Sequence, residues 1–189
     1  MKINDLLSIR GSLRIIHIPG ACYDDPSKAL SPDAVDKLCR QGVAHASPIY
    51  ENLVVDTGLE IIRALLGFGQ SFPTTGAFGV QDPSDLRIAT MRIGNASTPA
   101  APAAGDVDIS VVPATYTIPF VSVFYPTTSA CTLAGVIPQA ESTLDGVGIT
   151  EEGAFAFNGA MLARVTFPAE VKIPTNALQF EHTITVARP

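Results

Sequence analysis

The chain has 189 residues, 47% of them hydrophobic and 16% charged, which is enough for one domain with a sizeable core. Eighteen acidic residues against twelve basic ones leave a net charge of −6, the wrong balance for gripping a phosphate backbone, so nucleic acid is not expected as a partner. No stretch approaches the roughly 18 apolar residues of a membrane span, and Asp5 and Arg10 interrupt what would be the apolar core of a secretion signal. The expectation is synthesis in the cytoplasm and no membrane partner.

In chain order, residues 12–18 (Ser-Leu-Arg-Ile-Ile-His-Ile) alternate in part and suit a strand or an extended arm. Residues 19–32 hold Gly20, Pro26 and two adjacent acids and read as loop. With few core-forming residues of its own, an arm over residues 1–30 is expected to lie on something else. Ser31-Pro32-Asp33 has the order of an N-cap, a first-turn proline and a first-turn acid. Val35, Leu38 and Cys39 follow at helical spacing up to Gly42, predicting a short helix over 32–41. A second helix starts at Asp56, with Leu59, Ile62, Leu65 and Leu66 as its apolar stripe, Glu60 and Arg63 as a weak pair on the opposite face, and Gly67 as its stop. The implied division is residues 1–50 as arm and short helix, and residues 51–189 as helix plus β-domain.

From residue 71 onward Pro, Gly, Thr and Ser punctuate short runs rich in Val, Ile, Thr, Phe and Tyr. That pattern predicts a mainly β fold, an antiparallel β-sandwich or barrel-like domain with the N-terminal extended arm and two short helices. Strands are expected near 86–93, 115–125, 131–137, 160–167 and 177–187. The last alternates most clearly: Leu178, Phe180, His182, Ile184 and Val186 share one face, and Gln179, Glu181, Thr183 and Thr185 the other. Residues 94–106, a run of small residues and prolines, read as a contact loop between copies of the protein or as a mobile surface loop.

Reactive groups are scattered. His17, His45 and His182 have no second His or Cys at a metal-ligand spacing, and His182 reads as a core or interface histidine. Cys22, Cys39 and Cys131 are too irregularly spaced for a disulfide framework or a zinc site and read as buried reduced thiols. No G-x-S-x-G elbow occurs, and Gly67-Phe68-Gly69 and Gly146-Val147-Gly148 read as turns. The acidic pairs Asp24-Asp25, Asp106/Asp108 and Glu151-Glu152 lack the alternating ligands of a calcium loop and read as solvated loop acids. No catalytic residue, cofactor or metal is therefore expected. Arg164, inside an otherwise apolar strand, either points outward or needs a partner such as Glu151, Glu152 or Glu181.

Five segments follow one another along the chain: the helix Asn52 to Gly67; the strand and loop Met91-Arg92-Ile93-Gly94-Asn95-Ala96-Ser97-Thr98-Pro99; the turn Ile149-Thr150-Glu151-Glu152-Gly153-Ala154-Phe155; the strand Met161-Leu162-Ala163-Arg164-Val165-Thr166-Phe167-Pro168; and the strand Leu178-Gln179-Phe180-Glu181-His182-Thr183-Ile184. Over residues 52–186 this order resembles a widespread group of tailed-bacteriophage virion proteins. The group has a G-x-G-T-x-P-like loop, a T-E-x-G-L-F-like turn, an F-A-R-x-T-F-P strand and an L-x-F-E-W-T-I-like last strand. Here Asn95 departs from the loop's pattern, Ala154 stands for the usual Leu and His182 for the usual Trp.

The resemblance implies a structural component of a neck or collar, tail or baseplate, located in the virion after synthesis in the host bacterial cytoplasm. Its partners would be copies of itself, in a ring or other symmetric assembly, and other virion proteins. A capsid decoration protein, a fibre anchor and a carbohydrate-binding β-sandwich module are the alternatives, the last weakened by the absence of Trp and only four Tyr. The candidate interface residues are Ile15, Ile16, Ile18, Tyr23, Asn95, Thr98, Arg164 and His182.

Overall fold

The computed structural model describes residues 8–25, 27–66, 86–110 and 115–187. Over the described residues the elements are β1 (Ser8–Pro19), α1 (Pro32–Arg40), β2 (His45–Ala46), β3 (Tyr50–Val54), α2 (Asp56–Leu66), β4 (Ile88–Gly94), β5 (Thr115–Thr127), β6 (Ala130–Ile137), β7 (Gly148–Ala156), β8 (Met161–Val171) and β9 (Asn176–Ala187). Eight strands run antiparallel in the order β1-β3-β8-β7-β4-β5-β6-β9, and β9 pairs back onto β1 to close a barrel, with β2 as an extra strand on β1. Closure leaves the barrel strands without a free edge.

The largest apolar cluster draws on strands all around the ring: Leu13 and Ile15 from β1, Met91 and Ile93 from β4, Ile118 from β5, Ile137 from β6, Ile149 from β7, Val165 and Phe167 from β8, and Leu178 and Phe180 from β9. It fills the barrel interior. Tyr50 of β3 packs against the same cluster and stacks on Phe167 with ring centroids 5.2 Å apart.

Residues 8–19 are not an arm resting on something else. β1 pairs with β9 at twelve consecutive positions, from Ser8 opposite Ala187 to Pro19 opposite Asn176. Leu13, Ile15, Ile16 and Ile18 are fully buried within the chain. Ile16 and Ile18 belong to a second cluster with Val35 and Ala44, so α1 and the turn after it cover β1 from outside. The boundary expected at residue 50 therefore cuts through the barrel wall. Residues 1–7 and Pro26 lie outside the described residues.

α1 forms as its caps dictate: the Ser31 hydroxyl accepts from the Ala34 N–H at 3.3 Å, Pro32 opens the helix, and Gly42 takes φ +70° just beyond its end. Arg14 of β1 fastens it, donating to Asp36 of α1 at 2.7 Å and twice to Glu181 of β9, at 2.7 and 3.0 Å. Gln179 holds the chain leading into α1 by a reciprocal pair with Leu30, accepting its N–H at 2.8 Å and donating to its carbonyl at 2.9 Å. The polar face expected for β9 is thus covered: Gln179 is fully buried and Glu181 only 4% exposed.

α2 packs on β8 through a contact the apolar spacing does not reveal. Gly58 lies against the backbone of Leu162, so close that an added Cβ would fall 2.0 Å from the Leu162 carbonyl oxygen. This register buries Ile61 and leaves Leu59, expected in the apolar stripe, 49% exposed. Leu65 and Leu66 belong to the helix, but their side chains and that of Arg63, like Gly67, lie outside the described residues.

Because β1 closes the ring, truncating residues 1–19 is expected to abolish cooperative urea unfolding and collapse the β-sheet circular dichroism, whereas an independent arm would leave both intact. Leu13→Ala, which opens a cavity in the central cluster, is expected to lower unfolding free energy by about 2–5 kcal/mol in the same assay.

Candidate functional site

β7 is a strand despite two adjacent acids, because each acid meets a partner on its own side of the barrel wall. Consecutive strand residues face opposite ways. Glu152 lies opposite Val165 of the central cluster, and Glu151 lies opposite Thr166. Both glutamates are fully buried, so the expectation that they are solvated loop acids is corrected.

On the outer side stands Arg164, 3% exposed. Its guanidinium donates to Glu151 Oε2 at 2.8 Å, Asp106 Oδ2 at 2.6 Å, the Ser110 hydroxyl at 2.7 Å and the Ala100 carbonyl at 3.1 Å. Three of these four acceptors lie in the long connection after β4. The partner Glu151 was among those the sequence offered; Asp106, Ser110 and the Ala100 carbonyl were not.

That connection, residues 95–110, is fastened at further points. The buried Thr150 hydroxyl donates to the Ala96 carbonyl at 2.8 Å, and the Ser110 N–H donates to Glu151 Oε2 at 3.0 Å. The Asp56 N–H at the start of α2 donates to the Ala104 carbonyl at 2.8 Å. Asp108 pairs with Arg92 of β4 at 2.9 Å, while the Arg92 guanidinium lies 4.1 Å from the centre of the Phe155 ring. Ile109 is buried with Val55, Phe155 and Met161. Neither reading offered for residues 94–106 included these contacts, which hold the loop against its own barrel. Above the fastened layer Thr98 is exposed, Val107 is 61% exposed, and Leu53, opposite Arg164 in the β3–β8 register, is 38% exposed.

On the inner side Glu152 faces His182 of β9, with Oε2 3.2 Å from Nδ1 and neither side chain exposed. The Asn52 amide nitrogen lies 3.0 and 3.1 Å from the two ring nitrogens of His182, and the Phe120 ring meets the imidazole edge-on at 6.4 Å. Glu152 Oε1 and Asn52 Oδ1 have no hydrogen-bond partner among the described residues. His182 is a core histidine in this chain.

The candidate interface residues separate accordingly. Ile15, Ile16, Ile18 and His182 are fully buried and Arg164 nearly so; none of the five presents a surface of this chain. Tyr23 is half-buried and donates its hydroxyl to Gln179 at 3.2 Å; burial, then the charge of Glu181, pushes its phenol well above the usual range. Asn95 and Thr98 fall on the fastened loop with the Arg164 anchor beneath it, and only Thr98 of the eight is exposed. Cys22, Cys39 and Cys131 are free thiols but half-buried rather than buried.

Among the described residues, no group of three or more His, Cys, Asp or Glu side chains is placed to hold a metal ion, and no helix is long and apolar enough to cross a membrane. Comparison of the chain with protein-family models, curated proteins and solved structures finds no match.

Arg164→Met strands the fully buried Glu151 and is expected to destabilise the fold by about 3–5 kcal/mol in urea unfolding. Adding Glu151→Leu is expected to restore much of the loss, because it removes the orphaned charge. Burial works against ionisation of Asp106, but the Ala103 N–H and the Arg164 guanidinium outweigh it and hold the carboxyl below its ordinary 3.8. Its contribution is therefore complete above the unfolded value and lost as pH falls through the lower folded value. Stability measured against pH is expected to fall below about pH 4, with a shallower fall in Asp106→Asn.

Proposed function

We propose that the chain is a structural component of a tailed-phage virion, at the neck, tail or baseplate, working through surfaces repeated by symmetry. The observation that carries this reading is the fastened loop over residues 95–110. A connection of that length, poor in reactive side chains, is fixed by one buried guanidinium and four further hydrogen bonds or ion pairs. Order imposed before binding lowers the entropy that a contact must overcome, which suits a presented surface. Its small side chains let a neighbouring backbone approach closely, and the exposed Val107 and Thr98 supply apolar and polar contact.

The resemblance seen in the sequence adds support, since two of its segments meet in space. Glu151 of the T-E-x-G-like turn pairs with Arg164 of the F-A-R-like strand. Gly94, where the loop segment begins, leaves room for Glu151: an added Cβ would lie 2.7 Å from its Oε1. Glu151, Arg164 and Gly94 thus act as a scaffold for the loop. In a ring, the loop of one copy would meet a different patch on the next.

Gold-labelled antibody against the purified protein, applied to tailed particles from cells encoding the chain, is expected to mark the neck, tail or baseplate. Label over the whole capsid would move the assignment to decoration. No label on intact or disrupted particles would overturn the virion reading.

A further inference from the structure

A cleft of about 680 Å³ lies at one end of the barrel, between the turn after β1, the β6–β7 connection and the β8–β9 turn. Its volume falls within the roughly 300–1,000 Å³ of small-molecule sites. Tyr23, Gln139, Ser142 and Asp145 bring polar groups to it, and Pro138 and Pro174 contribute apolar wall.

The cleft is built from behind by a buried cation. Lys172, the residue after β8, is fully buried; its ammonium donates to the Gln139 carbonyl at 3.1 Å and pairs with Asp145 Oδ1. One charge thereby fixes two lining residues. Gln139 and Ser142 are exposed and Asp145 is half-buried, so the amide, the hydroxyl and the carboxylate line the cleft where solvent reaches them. Gly20 lets the Gln139 side chain lie against its backbone at the cleft wall: an added Cβ would fall 1.6 Å from Gln139 Oε1.

We propose that this cleft binds a neutral, hydroxyl-rich ligand, a saccharide. The Asp145–Lys172 pair cancels in charge, and Glu141 on the same connection adds a negative one, so nothing here selects an anion. A carboxylate oxygen, a primary amide and a hydroxyl together accept from and donate to vicinal hydroxyls, and proline and tyrosine suit the C–H face of a sugar ring. The site is independent of the virion reading.

The test is an NMR titration of the full chain labelled with nitrogen-15, using glucose, galactose, mannose and N-acetylglucosamine singly at millimolar concentration. At least one sugar is expected to shift the amides of Gly20, Gln139, Ser142 and Ala177 saturably, and Gln139→Ala and Ser142→Ala are each expected to weaken that binding at least tenfold. Both side chains are free of hydrogen bonds among the described residues, and a dispersed spectrum checks that each variant folds; if one does not, the other carries the comparison. Absence of shifts with all four sugars, unweakened binding in the folded variants, or saturable shifts with inorganic phosphate alone would overturn the assignment.

Discussion

Two carboxylates on adjacent residues of one barrel strand impose the constraint from which much of the surrounding structure follows. Glu151 and Glu152 point to opposite sides of the wall, and both are removed from water. An isolated buried carboxylate costs several kcal/mol even after relaxation, so each side must supply a partner. Arg164 supplies it outside and His182, steadied by Asn52, inside. The outer answer shapes the surface: a guanidinium offers five N–H donors, Glu151 accepts one, and the loop over residues 95–110 fills three more acceptor positions.

The same device recurs at smaller scale. Arg14 ties α1 to two strands, and Lys172 ties the β6–β7 connection to the end of β8. In each case a cation in a strand or directly after one reaches an acid on a segment between strands and holds that segment against the barrel. Such pairs add little net stability compared with apolar replacements, but they fix one arrangement among several that hydrophobic contact alone would permit; that role is the specificity argument for buried ions. In a chain with 7% aromatic residues and no tryptophan, arrangement by charge takes a share of the task that large rings perform elsewhere.

Elements whose signals are local were readable in the sequence. Ser31-Pro32-Asp33 and Gly42 delimited α1, and the alternation of residues 177–187 marked β9. β4, β5, β6 and β8 also fall within a few residues of their expected positions. β7 was not legible because Thr-Glu-Glu-Gly resembles a turn until the side chains that partner its glutamates are placed, thirteen residues away for Arg164 and thirty for His182. For residues 12–18 the strand was one of two readings, but its place in the barrel wall was not legible, because Ile16 and Ile18 are buried only once α1 covers them. Arg164 was recognised as needing a partner and Glu151 offered as one, yet Asp106 and Ser110 carry no mark of their role, since only the folded loop brings them to the guanidinium.

The β1–β9 pairing also sets the order of events during synthesis. Ile15 and Phe180 face each other across 165 positions of chain, so the ring cannot close before the last strand has left the ribosome. Until then β1 and β6 each have an unpaired edge on the side that β9 will fill, and the apolar interior has no final wall. Long-range pairing of this kind slows folding and leaves the growing chain open to association with other nascent copies. The polar side chains that β9 carries outward, Gln179 and Glu181, arrive last as well, so the bonds that tie Leu30 and Arg14 to β9 form only when the barrel is complete.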